Sequence, residues 1–156
     1  MISRLKSLLN ELAQTPGPAA DPDRVPLAMA ALLVEAARAD DEVQQAELDR
    51  LAGLLAQRLE LDPAAAQALV RRARSAVEDS VSLYEFTRPL HEALDYRGKA
   101  EVVRMLWLVA LADQRLDKYE DYLIGKVAEL LYVSRGDVLR LKHEAQQLQP
   151  AASGGD

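Results

Sequence analysis

Carboxylates stand at two matching places in this sequence. Ala39-Asp-Asp-Glu-Val-Gln-Gln-Ala-Glu47 offers Asp40 and Glu47, and Ala112-Asp-Gln-Arg-Leu-Asp-Lys-Tyr-Glu120 offers Asp113, Asp117 and Glu120. Three or more acids gathered at one end of a helical domain make a hard-oxygen set suited to Ca²⁺ or Mg²⁺, with Zn²⁺ the poorer choice. The spacing is not that of an EF-hand, which needs acids at loop positions 1, 3 and 5, a glycine at 6 and a glutamate at 12.

The competing explanation is helix capping. Asp117-Lys-Tyr-Glu120 is a D-x-x-E capping box, and a cap of this kind contributes about 1 kcal/mol without any further function. In the first copy Gln44 stands where the second has Asp117, so only Glu47 keeps the favourable first-turn place. Capping does not account for Asp40 and Asp113. Each follows an apolar helix, where the negative end of the helix dipole costs a carboxylate a few tenths of a kcal/mol. Amides of the next helix, an arginine such as Arg38 or Arg115, or a cation must offset this.

The elements that would position these acids are all helical. Apolar residues recur at three- and four-residue spacing, no stretch alternates with period two, and glycine and proline fall almost wholly at breaks. The spacing predicts an amphipathic helix within 1–14 (Ile2, Leu5, Leu8, Leu9 and Leu12), a proline-rich linker over 15–23, and a helical domain over 24–148. A disordered tail is expected over 149–156. Within the domain, helices are expected near 24–39, 44–59, 63–79, 83–94, 96–112, 118–131 and from Ser134 onward. The first of these is apolar nearly all round and belongs in the middle of a bundle. Asp62-Pro63 marks a helix start, and Pro89 should kink or shorten the helix that holds it.

Sliding the chain by 73 positions lays Asp40 on Asp113, Glu47 on Glu120, Leu33 on Leu106, Leu51 on Ile124 and Leu54 on Val127. The expected fold is therefore an all-α, single-domain bundle of about seven to eight helices. It would be built from two pseudo-symmetric helical-hairpin repeats, at about 30–61 and 103–134. Two helices separate the repeats, so antiparallel succession returns both acidic corners to the same end.

Composition removes several function classes. A chain of 156 residues with net charge -6 carries no basic field for nucleic acid. It has no cysteine, hence no disulfide, thiolate nucleophile or zinc finger. The longest apolar runs, Leu27–Val34 and Met105–Ala112, are less than half the roughly 20 residues of a membrane span. The N-terminus lacks a secretory pattern, so a cytoplasmic location is expected. His91 and His143 stand apart without a ligand or triad spacing, and no phosphate-binding loop is present, so no catalysis is expected. Glu35 and Glu101, lone acids on apolar helices, read as boundary residues. Arg71-Arg-Ala-Arg74 reads as a solvated basic face. Trp107, Tyr119, Tyr122 and Tyr132 read as core and core edge. The stripe of residues 2–12 must dock on the bundle, on a second copy or on a membrane surface, of which the bundle is favoured.

The paired acidic motif resembles the repeated A-D-G-x-[VL]-D-x-x-E signature of the TerB tellurite-resistance family. Ser82-Leu-Tyr-Glu-Phe-Thr-Arg-Pro-Leu90 and Leu106-Trp-Leu-Val-Ala-Leu-Ala-Asp113 resemble an uncharacterised TerB-like branch. The likeness covers about residues 25–145, and the domain is also similar to the N-terminal region of a membrane-anchored DnaJ-like co-chaperone. The resemblance implies a non-enzymatic helical module of bacterial stress response, with unidentified protein partners. By position its metal ligands would be Asp40, Glu47, Asp113, Asp117 and Glu120. The sequence departs from the signature at Asp41 and Gln114, in place of glycine, and at Gln44, in place of Asp. A pure interaction or scaffold domain, its acids acting only as caps, is the alternative.

Overall fold

Residues 28–34 carry no charge, and a helix built on them has no face to offer water. In the computed structural model, which describes residues 23–38, 44–112 and 118–148, they form the middle of helix α1 (Arg24–Ala37). Every residue from Ala28 to Val34 is at most 3% exposed. Helix α1 packs against α2 (Gln45–Leu59), α3 (Pro63–Asp79), α4 (Tyr84–Ala93), α5 (Tyr96–Ala110) and α6 (Lys118–Leu131). Helix α7 (Arg135–Gln147) closes the bundle against α5 and α6. The described residues are all-α, with seven helices and no strand. None of those helices is long and apolar enough to cross a membrane. The N-terminal helix, the linker apart from Asp23, and the tail expected from the sequence lie outside the described residues.

Local chemistry sets the helix starts. Asp62 accepts from the Ala65 amide at 2.8 Å with Pro63 in the first turn, Asp95 from Gly98 at 2.8 Å, and Ser134 Oγ from Asp137 at 3.1 Å. Glu85 Oε2 accepts from the Val81 amide at 2.7 Å, fixing the chain where it enters α4. That helix is short, ten residues, and Pro89 lies inside it, so the Glu85 carbonyl loses the amide that would have answered it. The start of α5 is crowded: a Cβ at Gly98 would meet the Leu94 Cβ at 3.1 Å.

Two helix ends share an unusual device. Glu60 and Tyr132 take left-handed backbone, with φ of 54° and 62°. In each case the next amide reaches back five residues, Leu61 to the Ala56 carbonyl and Val133 to the Ala128 carbonyl, both at 2.9 Å. These are Schellman closures made without glycine. The two sets lie 72 positions apart, one fewer than the offset of the acidic corners. The trios α1–α2–α3 and α5–α6–α7 also pack alike, each first helix on its second and third and each second on its third.

The core is continuous through all seven helices. Its largest enclosed side chain is Trp107, whose Nε1 donates to the Val138 carbonyl at 3.1 Å, joining α5 to α7. Tyr119, Tyr122 and Tyr132 are 40%, 64% and 73% exposed. They stand on the surface, not at a core edge, because α6 buries Leu123, Ile124, Val127 and Leu131 instead.

Candidate functional site

Helix α1 ends at Ala37 and α2 begins at Gln45, while α5 ends at Ala110 and α6 begins at Lys118. The segments between carry Asp40, Asp113 and Asp117, which lie outside the described residues. The helix ends that flank both segments come together. Glu47 and Arg50 of α2 and Glu120 of α6 line one cleft of about 300 Å³, whose apolar wall includes Ala37, Leu51, Leu108 and Ala112. The flanks of both acidic corners therefore meet at one end of the bundle, as the helix count predicts.

Each described acid has a local role. Glu47 Oε1 accepts from the Gln44 amide at 2.9 Å, which is the capping-box contact at the start of α2. Glu120 sits in the first turn of α6, where the positive end of the helix dipole favours a carboxylate. It is only 8% exposed and it is not unpartnered. A carboxylate removed from water to that extent needs donors or a cation to compensate its lost hydration.

A contact also ties α6 to α1. The Tyr119 hydroxyl on α6 donates to Glu35 Oε2 on α1 at 2.6 Å, while Arg38 Nη1 approaches Glu35 Oε1 at 3.4 Å. Burial, and then the bond to Glu35, push the Tyr119 phenol up to about 12. The phenol stays a donor at neutral pH.

The other charged residues singled out by sequence have structural roles. Glu101 is held by Arg58 at 3.1 Å between α2 and α5, and burial raises its carboxyl above the usual glutamate range against the pull of Arg58 and Arg104. Arg72 pairs with Asp23 at 3.0 Å and Arg74 with Glu78 at 3.7 Å, so the basic stretch on α3 is a solvated face. His91 and His143 are exposed and far apart in the bundle's sequence, on α4 and α7.

The donor set in the cleft, carboxylate oxygen without sulfur or imidazole, fits a hard divalent ion better than zinc. Glu47 and Glu120 supply two carboxylates, and among the described residues no group of three His, Cys, Asp or Glu side chains forms a ligand set. Sequence reasoning passed over Arg50 and read Tyr119 as core or core edge. Arg50 lies one turn beyond Glu47 on α2 and Tyr119 precedes Glu120 within the motif, but what each faces depends on how α2 and α6 turn about their axes, which packing decides.

A sequence model of the family described as tellurite resistance protein TerB matches residues 26–143, from α1 into α7 and across both corners. No curated protein and no solved structure matches the chain. The comparisons carry nothing for the likeness to a DnaJ-like co-chaperone. With the greater part of its length matched, both acidic corners included, the chain belongs to the TerB tellurite-resistance family.

Proposed function

We propose that this chain is a non-catalytic helical module of a bacterial stress-response assembly of the tellurite-resistance kind, and that it binds a divalent cation between its acidic corners. The observation that carries this reading is that Glu47 and Glu120, which occupy equivalent places in the two motifs, line one cleft. Glu47 and Glu120 would hold the ion together with Asp40, Asp113 and Asp117. Calcium or magnesium suits that oxygen-only set. The ion would neutralise Glu47 and Glu120 in a partly desolvated cleft, together with the acids that follow α1 and α5 in the sequence. Since one set of acids follows α1 and the other follows α5, its binding would brace the two trios, which we take to be copies of one unit. Family membership does not by itself transfer resistance to tellurite.

Equilibrium dialysis of the chelator-treated full chain against Ca²⁺ or Mg²⁺ tests this. About one ion per chain is expected, and the Asp113→Asn variant should retain little. A parent chain that retains neither ion, nor Zn²⁺, would sink the reading.

A second reading is favoured by one specific contact, the 2.9 Å bond by which Glu47 already caps α2. On this reading the acids are caps only, and the module is a scaffold for protein partners or for a second copy. It predicts the same retention of ions, namely none, in the parent and in Asp113→Asn. In either case the reading takes the module as cytoplasmic and without nucleic-acid partners, in keeping with its net charge of -6.

A further inference from the structure

Helices α2 and α5 both pack on α1 but scarcely on each other, which leaves a trough between the two trios. On α2, Glu47, Leu51, Leu54 and Arg58 follow one another at helical spacing along one face. Leu51 and Leu54 meet Leu108, Val109 and Ala112 across the cleft between the corners, and Leu54, Leu108 and Val109 are only partly buried. The 3.1 Å pair of Arg58 with Glu101 spans the other end of the trough. From Glu47 to Arg58 the wall is about 16 Å long, at about 1.5 Å per residue.

The chain carries a stripe of matching length. On a helix, Ile2, Leu5, Leu8, Leu9 and Leu12 make one apolar face about 15 Å long. Turning about 100° per residue, that helix sets Arg4 and Lys6 on opposite flanks of the face. A helix laid in a groove buries its apolar face and leaves the flanking charges at the rims. Acids stand at both ends of this trough, Glu47 and Glu120 at one and Glu101 at the other, so the signs are complementary. Burial raises the Glu101 carboxyl, while Arg58, Arg104 and the chain's amino-terminal charge draw it down. The chain between Leu12 and Asp23 reaches up to about 36 Å when extended, more than the roughly 21 Å of α1, so the whole trough is within range.

We infer that residues 2–12 form a helix whose leucine stripe docks in the trough between α2 and α5 and clamps the two trios from outside. The docking needs no bound ion. It rests on apolar burial and opposite charge alone.

The test uses the absence of cysteine from the chain. Ser7→Cys, on the face opposite the stripe, gives one attachment point for a nitroxide label. In full chain that carries both label and isotope, diluted into unlabelled chain, the amide signals of Leu51, Leu54, Leu108 and Val109 should lose most of their intensity. Those of Tyr84 and Arg88 on α4, which packs on α1 and α6, should keep theirs. Leu5→Asp/Leu8→Asp in the labelled chain should restore the lost intensity, because a charged stripe does not enter an apolar trough. Loss that is equal on all helices, or that survives Leu5→Asp/Leu8→Asp, reflects tethering alone and overturns the inference. Loss that appears only with label and isotope on different chains assigns the trough to a second copy and overturns it too. No loss at all frees the stripe for a membrane surface and has the same consequence. Thermal melts give an independent readout: Leu8→Ala should lower the midpoint of the parent, and do so clearly less in a Leu54→Ala/Leu108→Ala background. An equal drop in both backgrounds contradicts contact between stripe and trough.

Discussion

The Tyr119 hydroxyl and the Glu35 carboxylate, 84 positions apart in the chain, meet at 2.6 Å between the start of α6 and the last turn of α1. This bond joins the two trios beside the cleft that Glu47 and Glu120 line. It also explains why Glu35 stands on an otherwise apolar helix: it accepts from α6 and carries Arg38.

Tyr119→Phe should therefore cost about 0.5–1.5 kcal/mol, the net worth of one such hydrogen bond. The pH dependence gives a sharper check. The folded phenol titrates at about 12, above the roughly 10 of an unfolded tyrosine. Its contribution is therefore complete below pH ~10 and is lost as pH rises through the folded value. Denaturant titrations between pH 9 and 12 should show the parent losing its advantage over Tyr119→Phe across that window. A gap that stays constant with pH would mean that the phenol is not held neutral by the fold.

Thr87 is 1% exposed in α4, and its Oγ1 has no hydrogen-bond partner among the described residues. Replacing that hydroxyl with a methyl of similar shape removes a desolvated polar group. Thr87→Val should raise stability by about 1 kcal/mol, seen as a higher denaturant midpoint at unchanged slope. A lower midpoint would show that the hydroxyl is satisfied by a buried water.

Glu101 and Arg58 form a partly buried pair at 3.1 Å, their side chains 24% and 18% exposed. Arg58→Gln leaves the carboxylate without its main counter-charge and should cost about 1–3 kcal/mol at neutral pH. Burial already raises the Glu101 carboxyl above its usual range, and removing Arg58 raises it further. A carboxyl raised in the folded state contributes fully below the unfolded value, about 4.3, and loses that contribution as pH rises through the folded value. The deficit of Arg58→Gln should thus be widest at neutral pH and close toward pH 4. A deficit that widens on acidification would contradict the assignment.

Helix positions were largely legible in the sequence because their causes are local. Asp62-Pro63, Asp95 and Ser134 each start a helix where a side chain answers a free amide. The central place of α1 followed from its lack of any polar face. The ends of α2 and α6 at Leu59 and Leu131 fall where the sequence predicts them, but the left-handed closures at Glu60 and Tyr132 were not legible, since such a closure without glycine leaves no residue-type signal. The exposure of Tyr119, Tyr122 and Tyr132 was misjudged because helical spacing identifies a face but not what covers it. Glu47 and Glu120 were found by comparing the two motifs, and counting antiparallel helices placed them at one end. Arg50 and the Tyr119–Glu35 bond depend on how α2 and α6 turn about their axes, which packing decides.

The cation claim is tested most directly by the thermal midpoint of the chelator-treated full chain with and without Ca²⁺ or Mg²⁺, followed in the parent and in Glu120→Gln. An ion at about 100 times its dissociation constant adds about 2.7 kcal/mol, or roughly 5–10 °C for a chain of this size. The account predicts such a rise in the parent and a rise of about a degree or less in Glu120→Gln. A parent midpoint that neither ion moves, or a rise that Glu120→Gln keeps in full, would contradict it.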